Sequence, residues 1–166
     1  MFVPFSQLPP ESRVWIYQAN RNFTPEETEI LKQKAAEFAE VWAAHGVNLQ
    51  ASAVVLHNAF LVLAVNQAAH SPSGCSIDSS ASFVRGLEQE FSVQFFDRTQ
   101  LAFLQNGQVT RVPMSQMKQA VSEGKVGPET PFFDNRIETK AELERAWPTI
   151  AANTWVTKYF ASTASK

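Results

Sequence analysis

The sequence predicts an α+β fold: a ferredoxin-like split βαβ sandwich with an added β-hairpin and a helical C-terminal extension. Three observations carry this. The residue patterns of the first hundred or so positions run strand, helix, strand, strand, helix, strand. Nothing from Val41 through Ile77 is Asp, Glu, Lys or Arg, which suits burial in the centre of a sheet. Helix and hairpin starts are marked by capping boxes and by Asn106-Gly107. On this reading residues 1–105 form the ferredoxin-like core, and residues 106–166 form a hairpin plus helical extension packed on it.

Arg13 to Gln18 is β-branched and aromatic and reads as the first strand. Helix 1 begins with Thr24 as cap, Pro25 in the first helical position and Glu27 completing a capping box. Ile30, Leu31, Phe38, Val41, Trp42 and His45 recur at helical spacing, and Gly46 is placed to end the helix. Ala53 to Leu56 and Phe60 to Val65 are apolar in consecutive positions and suit inner strands, joined by a turn at His57-Asn58-Ala59. After a loop from Asn66 to Gly74, helix 2 is expected from Ser76 to Phe91, with Ser76 as cap and Ile77, Phe83, Leu87 and Phe91 inward. Thr99 to Leu104 is the last core strand, and Asn106-Gly107 turns it into Gln108 to Val112. The extension then reads as a short helix from Ser115 to Glu123 ended by Gly124, and an extended piece at Pro131 to Phe133. A second capping box, Thr139 with Glu142, opens Lys140 to Ala146, and a last helix runs from Ile150 to Phe160 with Trp155 and Phe160 inward. Ser162 to Lys166 is expected to fray.

Composition limits function. The 166 residues are 45% hydrophobic and 18% charged, with thirteen Phe and four Trp, enough for one well-filled core. A net charge of −2 offers no basic field to nucleic acid or anionic lipid. An RRM-like use of the sheet needs exposed aromatics among basic residues. Trp15 and Tyr17 share a strand face, but the surrounding strands lack Lys and Arg. The charge-free run Ala51 to Ala69 is divided by His57-Asn58 into pieces far short of the roughly 20 residues a membrane span requires. The first ten residues lack the basic start and long apolar stretch of a secretion signal, and a single Cys fits a reducing compartment. A cytoplasmic location is the expectation.

"RVWIYQANRNFTPEE", "SGCSID" and "EFSVQFFDRTQLAF" resemble a family of uncharacterised bacterial proteins sometimes labelled "ABC transporter ATPase". The resemblance covers most of the chain and brings no catalytic role with it. The label asks for a P-loop, G-x-x-x-x-G-K-[ST], whose amides and Lys cradle phosphates. Glycines 46, 74, 86, 107, 124 and 127 never pair at that spacing ahead of a Lys, and Gly124-Lys125 lacks both the upstream Gly and the following hydroxyl. "VPMSQMKQAVSEGKVGPETPFF" is similar to short GYF-like modules, in which a helix, a Gly turn and a strand follow an initial strand. That resemblance implies protein–protein contacts.

Candidate chemistry centres on Cys75. A thiol at a helix N-terminus gains thiolate character from the helix dipole, with His70 or His57 as the base and Asp78 one turn on either to orient the His or to oppose the thiolate by like charge. The plain alternative is a small apolar residue packed under the loop. His45, His57 and His70 lack the local spacing of a metal site, and no metal or cofactor is expected. Arg98, beside Asp97, and Arg21 are candidate anion ligands. The alternative is a turn fixed by an Asp97–Arg98 pair or by Asp97 capping nearby amides. Glu88 and Glu90 read as a solvated helix face. The chain therefore reads first as a non-enzymatic module that binds a partner protein or itself. The alternative is a small Cys-dependent enzyme or a redox or ligand-binding protein using Cys75.

Overall fold

The computed structural model describes residues 1–160; the fraying expected of Ser162 to Lys166 lies outside the described residues. Arg13–Gln18 forms strand β1, and Pro25–Val41 forms helix α1. The capping box closes as its residues require. Thr24 Oγ1 accepts from the Glu27 amide at 3.1 Å, and Glu27 Oε1 accepts from the Thr24 amide at 2.9 Å. Thr28, Leu31, Ala35 and Ala39 face the core.

Helix α1 departs from expectation at its end and along one side. It stops at Val41, because Trp42 takes an extended backbone that buries its indole and lets Nε1 donate to the Ser76 carbonyl at 2.8 Å. His45 and Gly46 are not part of the helix. Both have positive φ, 52° and 76°, and they turn a two-strand ribbon, β2 (Ala43–Ala44) and β3 (Val47–Asn48). Ile30 and Val41 point to solvent, 46% and 70% exposed, since they lie off the stripe set by Leu31, Ala35 and Ala39.

Strands β4 (Ala51–Leu56) and β5 (Phe60–Val65) are joined through His57 and Asn58, again at positive φ. They complete an antiparallel sheet of order β1-β5-β4. Every side chain of β5 is buried. Leu61, Leu63 and Val65 face one layer, and Phe60, Val62 and Ala64 face another. This is the centre of the charge-free run, and an ionic side chain here would lack both water and a partner.

Helix α2 spans Gly74–Phe91, two residues longer at its start than expected. Ser73, not Ser76, is the cap, and Ser76 instead closes a Ser73/Ser76 capping box. Val84, Leu87 and Phe91 pack with α1 against the Leu61/Leu63/Val65 face, while Ile77 stays 37% exposed.

Strand β6 (Gln100–Gln105) turns at Asn106-Gly107 into β7 (Gln108–Pro113), with φ of 54° and 76° at the turn. Helix α3 (Met117–Ser122), strand β8 (Pro131–Phe132), helix α4 (Lys140–Ala146) and strand β9 (Thr149–Ile150) follow. The α+β class stands, but the expected four-stranded sheet does not form. β6 does not pair with β1; it lies inside a second sheet of order β7-β6-β8-β9. Two physical reasons are visible. The outer edge of β1 is already taken, since the Val14 amide donates to the Glu138 carbonyl at 2.9 Å and Arg13 bridges Thr139. β6 is also apolar on both sides. Ala102 and Leu104 meet the Phe60/Val62/Ala64 face, whereas Leu101 and Phe103 meet Met117, Ala120 and Val156. The result is four layers: paired helices, first sheet, second sheet, and a cover of α3 and C-terminal turns.

The continuous helix expected from Ile150 to Phe160 is also absent. Thr149–Ile150 pairs with β8, and 3₁₀ turns follow at Ala151–Asn153 and Trp155–Thr157. Thr154 separates them, donating to the Ala151 carbonyl and accepting from the Val156 amide. No helix among the described residues is long and apolar enough to cross a membrane.

Candidate functional site

Cys75 occupies the second position of α2 and is exposed, not packed under the preceding loop. The two histidines expected to assist it are engaged elsewhere. His70 Nε2 hydrogen-bonds the Ala44 carbonyl at 3.0 Å, pinning the loop to the β2–β3 ribbon. His57 sits against an aromatic group, its ring 4.9 Å from that of Phe133, 5.7 Å from Trp147 and 6.4 Å from Phe60. The residue as a whole is exposed, but desolvation of the ring face packed against this group lowers the His57 pKa. Asp78 is exposed on α2. No hydrogen bond joins Cys75 to any of these three among the described residues, and none of their groups of His, Cys, Asp and Glu could hold a metal ion.

The anion candidates are also accounted for. Asp97 Oδ1 accepts from the Thr99 amide at 2.9 Å and from the Thr99 hydroxyl, which holds its carboxyl below the usual range. It caps a turn and makes no ion pair with the exposed Arg98. Arg21 grips Glu27 with two parallel bonds of 2.8 Å and donates to the Phe91 carbonyl. It thus ties the start of α1 to the end of α2. That pairing, with the Thr24 amide next in weight, pulls the Glu27 pKa down to about 2.

Two features escape a sequence reading. The first is Arg111 on β7. Its Nε donates to the Ala19 carbonyl at 2.9 Å and its Nη2 to Asn22 Oδ1 at 3.0 Å, with no carboxylate partner among the described residues; burial lowers its pKa. A cavity of about 140 Å³ lies beside Arg111 and α3. Strand alternation places the Arg111 guanidinium on the Val109 side, away from α3, so this side chain serves as a clamp between the sheets.

The second is an open groove of about 500 Å³ between α1 and α2. Phe38 and Phe83 form its floor, stacked at 4.4 Å with 5° between ring planes. Val41 stands on its rim, and Lys34 reaches across to Glu90 at 3.2 Å. Gly86 adds no side chain, and a Cβ there would meet nothing within 4 Å. The one sequence signal for it is a glycine in the middle of α2; helical spacing groups Val41 with the core-facing apolar positions.

Trp15 and Tyr17, the aromatics a nucleic-acid surface would display, are covered from the helix side. Trp15 meets Trp42 and Tyr17 meets Phe96, each at 5.6 Å. No family model, no curated protein and no solved structure matches the chain.

Proposed function

We propose that this protein is a non-enzymatic cytoplasmic interaction module that holds a partner protein, or a second copy of itself, in the α1–α2 groove. One observation carries the reading: Phe38, Phe83 and Val41 leave an apolar surface open to water between two long helices. The GYF-like resemblance adds support, since β7, α3, the Gly124 turn and β8 follow in that family's order. The resemblance to the family labelled "ABC transporter ATPase" assigns no activity against this reading. Neither nucleic acid nor a membrane is part of it. The finer fold proposal is a ferredoxin-like arrangement of β1, β4 and β5 under α1 and α2, supported by the order β1-β5-β4.

A photo-crosslinking residue at position 41, compared with one at the exposed Lys118 on α3, tests the reading in cells of the native host. Adducts of defined mass at position 41 and not at 118 are expected, and light scattering tells self-association from a second protein. Equal or absent crosslinking at 41 ends the proposal.

The exposure of Cys75 supports a second reading, a Cys-dependent enzyme or a redox or ligand-binding protein. Alkylation rate against pH tests it. Reaction of the folded protein at neutral pH, faster than that of a free thiol of ordinary pKa, supports it; reaction only in strong alkali sinks it.

A further inference from the structure

The groove has a charge as well as a shape. α1 and α2 together carry eight acidic and three basic side chains, a net of −5 in a chain whose total is −2. The two helices therefore carry the acidic excess while the rest of the chain sums to +3, and in the groove lining itself Glu37 and Glu90 against Lys34 leave one net negative charge. At the groove Glu37 receives only Gln33 Nε2 among the described residues, at 3.3 Å, and Glu90 binds the Lys34 ammonium while remaining 45% exposed. Both carboxylates keep lone pairs free for another cation.

This charge selects among occupants. A second copy docked face to face sets one acidic layer against another, and like charges across an interface oppose association. A cationic segment meets the reverse situation. The lining runs from Lys34 to Val41 on α1 and from Ser82 to Glu90 on α2, roughly 10–12 Å at 1.5 Å per residue. That length takes about two turns of a helix, enough for anchors at i, i+3 or i+4, and i+7.

We infer that the α1–α2 groove takes a cationic amphipathic helix of another protein, its apolar anchors on Phe38, Val41 and Phe83 and its Lys or Arg side chains facing Glu37 and Glu90. The inference rests on the interaction reading above and narrows it to one class of partner.

The test uses two synthetic peptides with the same leucine spacing, one with lysine and one with glutamate at every polar position, titrated into the full chain. The lysine peptide is expected to bind at least about tenfold tighter, and to weaken as salt rises. Val41→Ser removes a rim anchor, and the Glu37→Gln/Glu90→Gln pair removes the charge. Both are surface changes that leave the fold intact, checked by circular dichroism. Each is expected to weaken the lysine peptide about three- to tenfold, and the double variant is expected to flatten the salt dependence. Equal affinity for the two peptides, or lysine-peptide binding that neither variant changes, overturns the inference. A dimer by light scattering that Val41→Ser dissolves also overturns it, while leaving the groove as an interface. Absence of crosslinks at position 41 removes both.

Discussion

Asn135 Nδ2 donates to Gln18 Oε1 at 2.8 Å, and through this one bond the second sheet's connecting loop is fastened to the end of β1. The chain of bonds continues on both sides. Trp147 Nε1 donates to Asn135 Oδ1 at 3.1 Å, and Gln18 Nε2 donates to the Gln100 carbonyl at 3.0 Å. Asn135→Ala leaves the Gln18 carbonyl oxygen and the Trp147 indole without these partners. The expected loss is about 1–3 kcal/mol, the cost of orphaned partly buried polar groups. Urea melts followed by tryptophan fluorescence measure it, and an unchanged midpoint refutes the assignment.

The Arg21–Glu27 pair gives a pH dependence whose sign is fixed. Glu27 has its pKa lowered from 4.5 to about 2, so it contributes stability above about 4.5 that is lost as pH falls toward 2. Arg21→Met removes the first cause of that shift. Denaturant midpoints of the variant and the parent are expected to differ most at neutral pH and to converge near pH 2. Parallel profiles contradict the pairing.

His57 moves the other way. Packing against Phe133, Trp147 and Phe60 favours the neutral ring, so its contribution is complete above its ordinary value of 6.5 and shrinks as pH falls below it. Its backbone is left-handed, φ 54°, a conformation Asn tolerates. His57→Asn is therefore expected to keep the turn and remove this slope. An NMR titration that places the His57 midpoint at or above 6.5 counts against the account.

Gly86 separates stability from binding. A Cβ there meets nothing, so Gly86→Ala is expected to stabilise α2 by about 0.5–1 kcal/mol. Gly86→Trp instead covers the Phe38/Phe83 floor of the groove and is expected to abolish crosslinking from position 41 with the fold retained. Thermal melts read the first effect and crosslink yield the second.

What the sequence made legible was local chemistry. Thr24 with Glu27, Thr139 with Glu142, and Asn106-Gly107 each act within a few residues, and each stands where its pattern placed it. The positions of β5 and the class of the fold follow from a run of residues that no solvated surface would choose. Pairing between distant segments was not legible. Whether β6 lies beside β1 depends on which strand claims that edge first, and the claimants, Glu138 and Thr139, lie over a hundred positions from Val14. The end of α1 was misplaced for a related reason: Gly46 marks a turn wherever φ is positive, and it is the indole of Trp42, reaching Ser76, that decides which turn. For the candidate site, helical spacing selected Phe38, Val41 and Phe83 as apolar positions. Which of them stay uncovered depends on how far apart α1 and α2 settle, a property of the whole packing.

The complete enclosure of β5 has a consequence for how the molecule comes apart. Leu61, Leu63 and Val65 serve the helices, while Phe60, Val62 and Ala64 serve the second sheet, and all six hang on one stretch of backbone. Neither half can loosen without stripping a face from that shared ribbon. Heating or denaturant should therefore release both halves in a single cooperative transition, with the amide protons of Phe60 to Val65 the last to exchange.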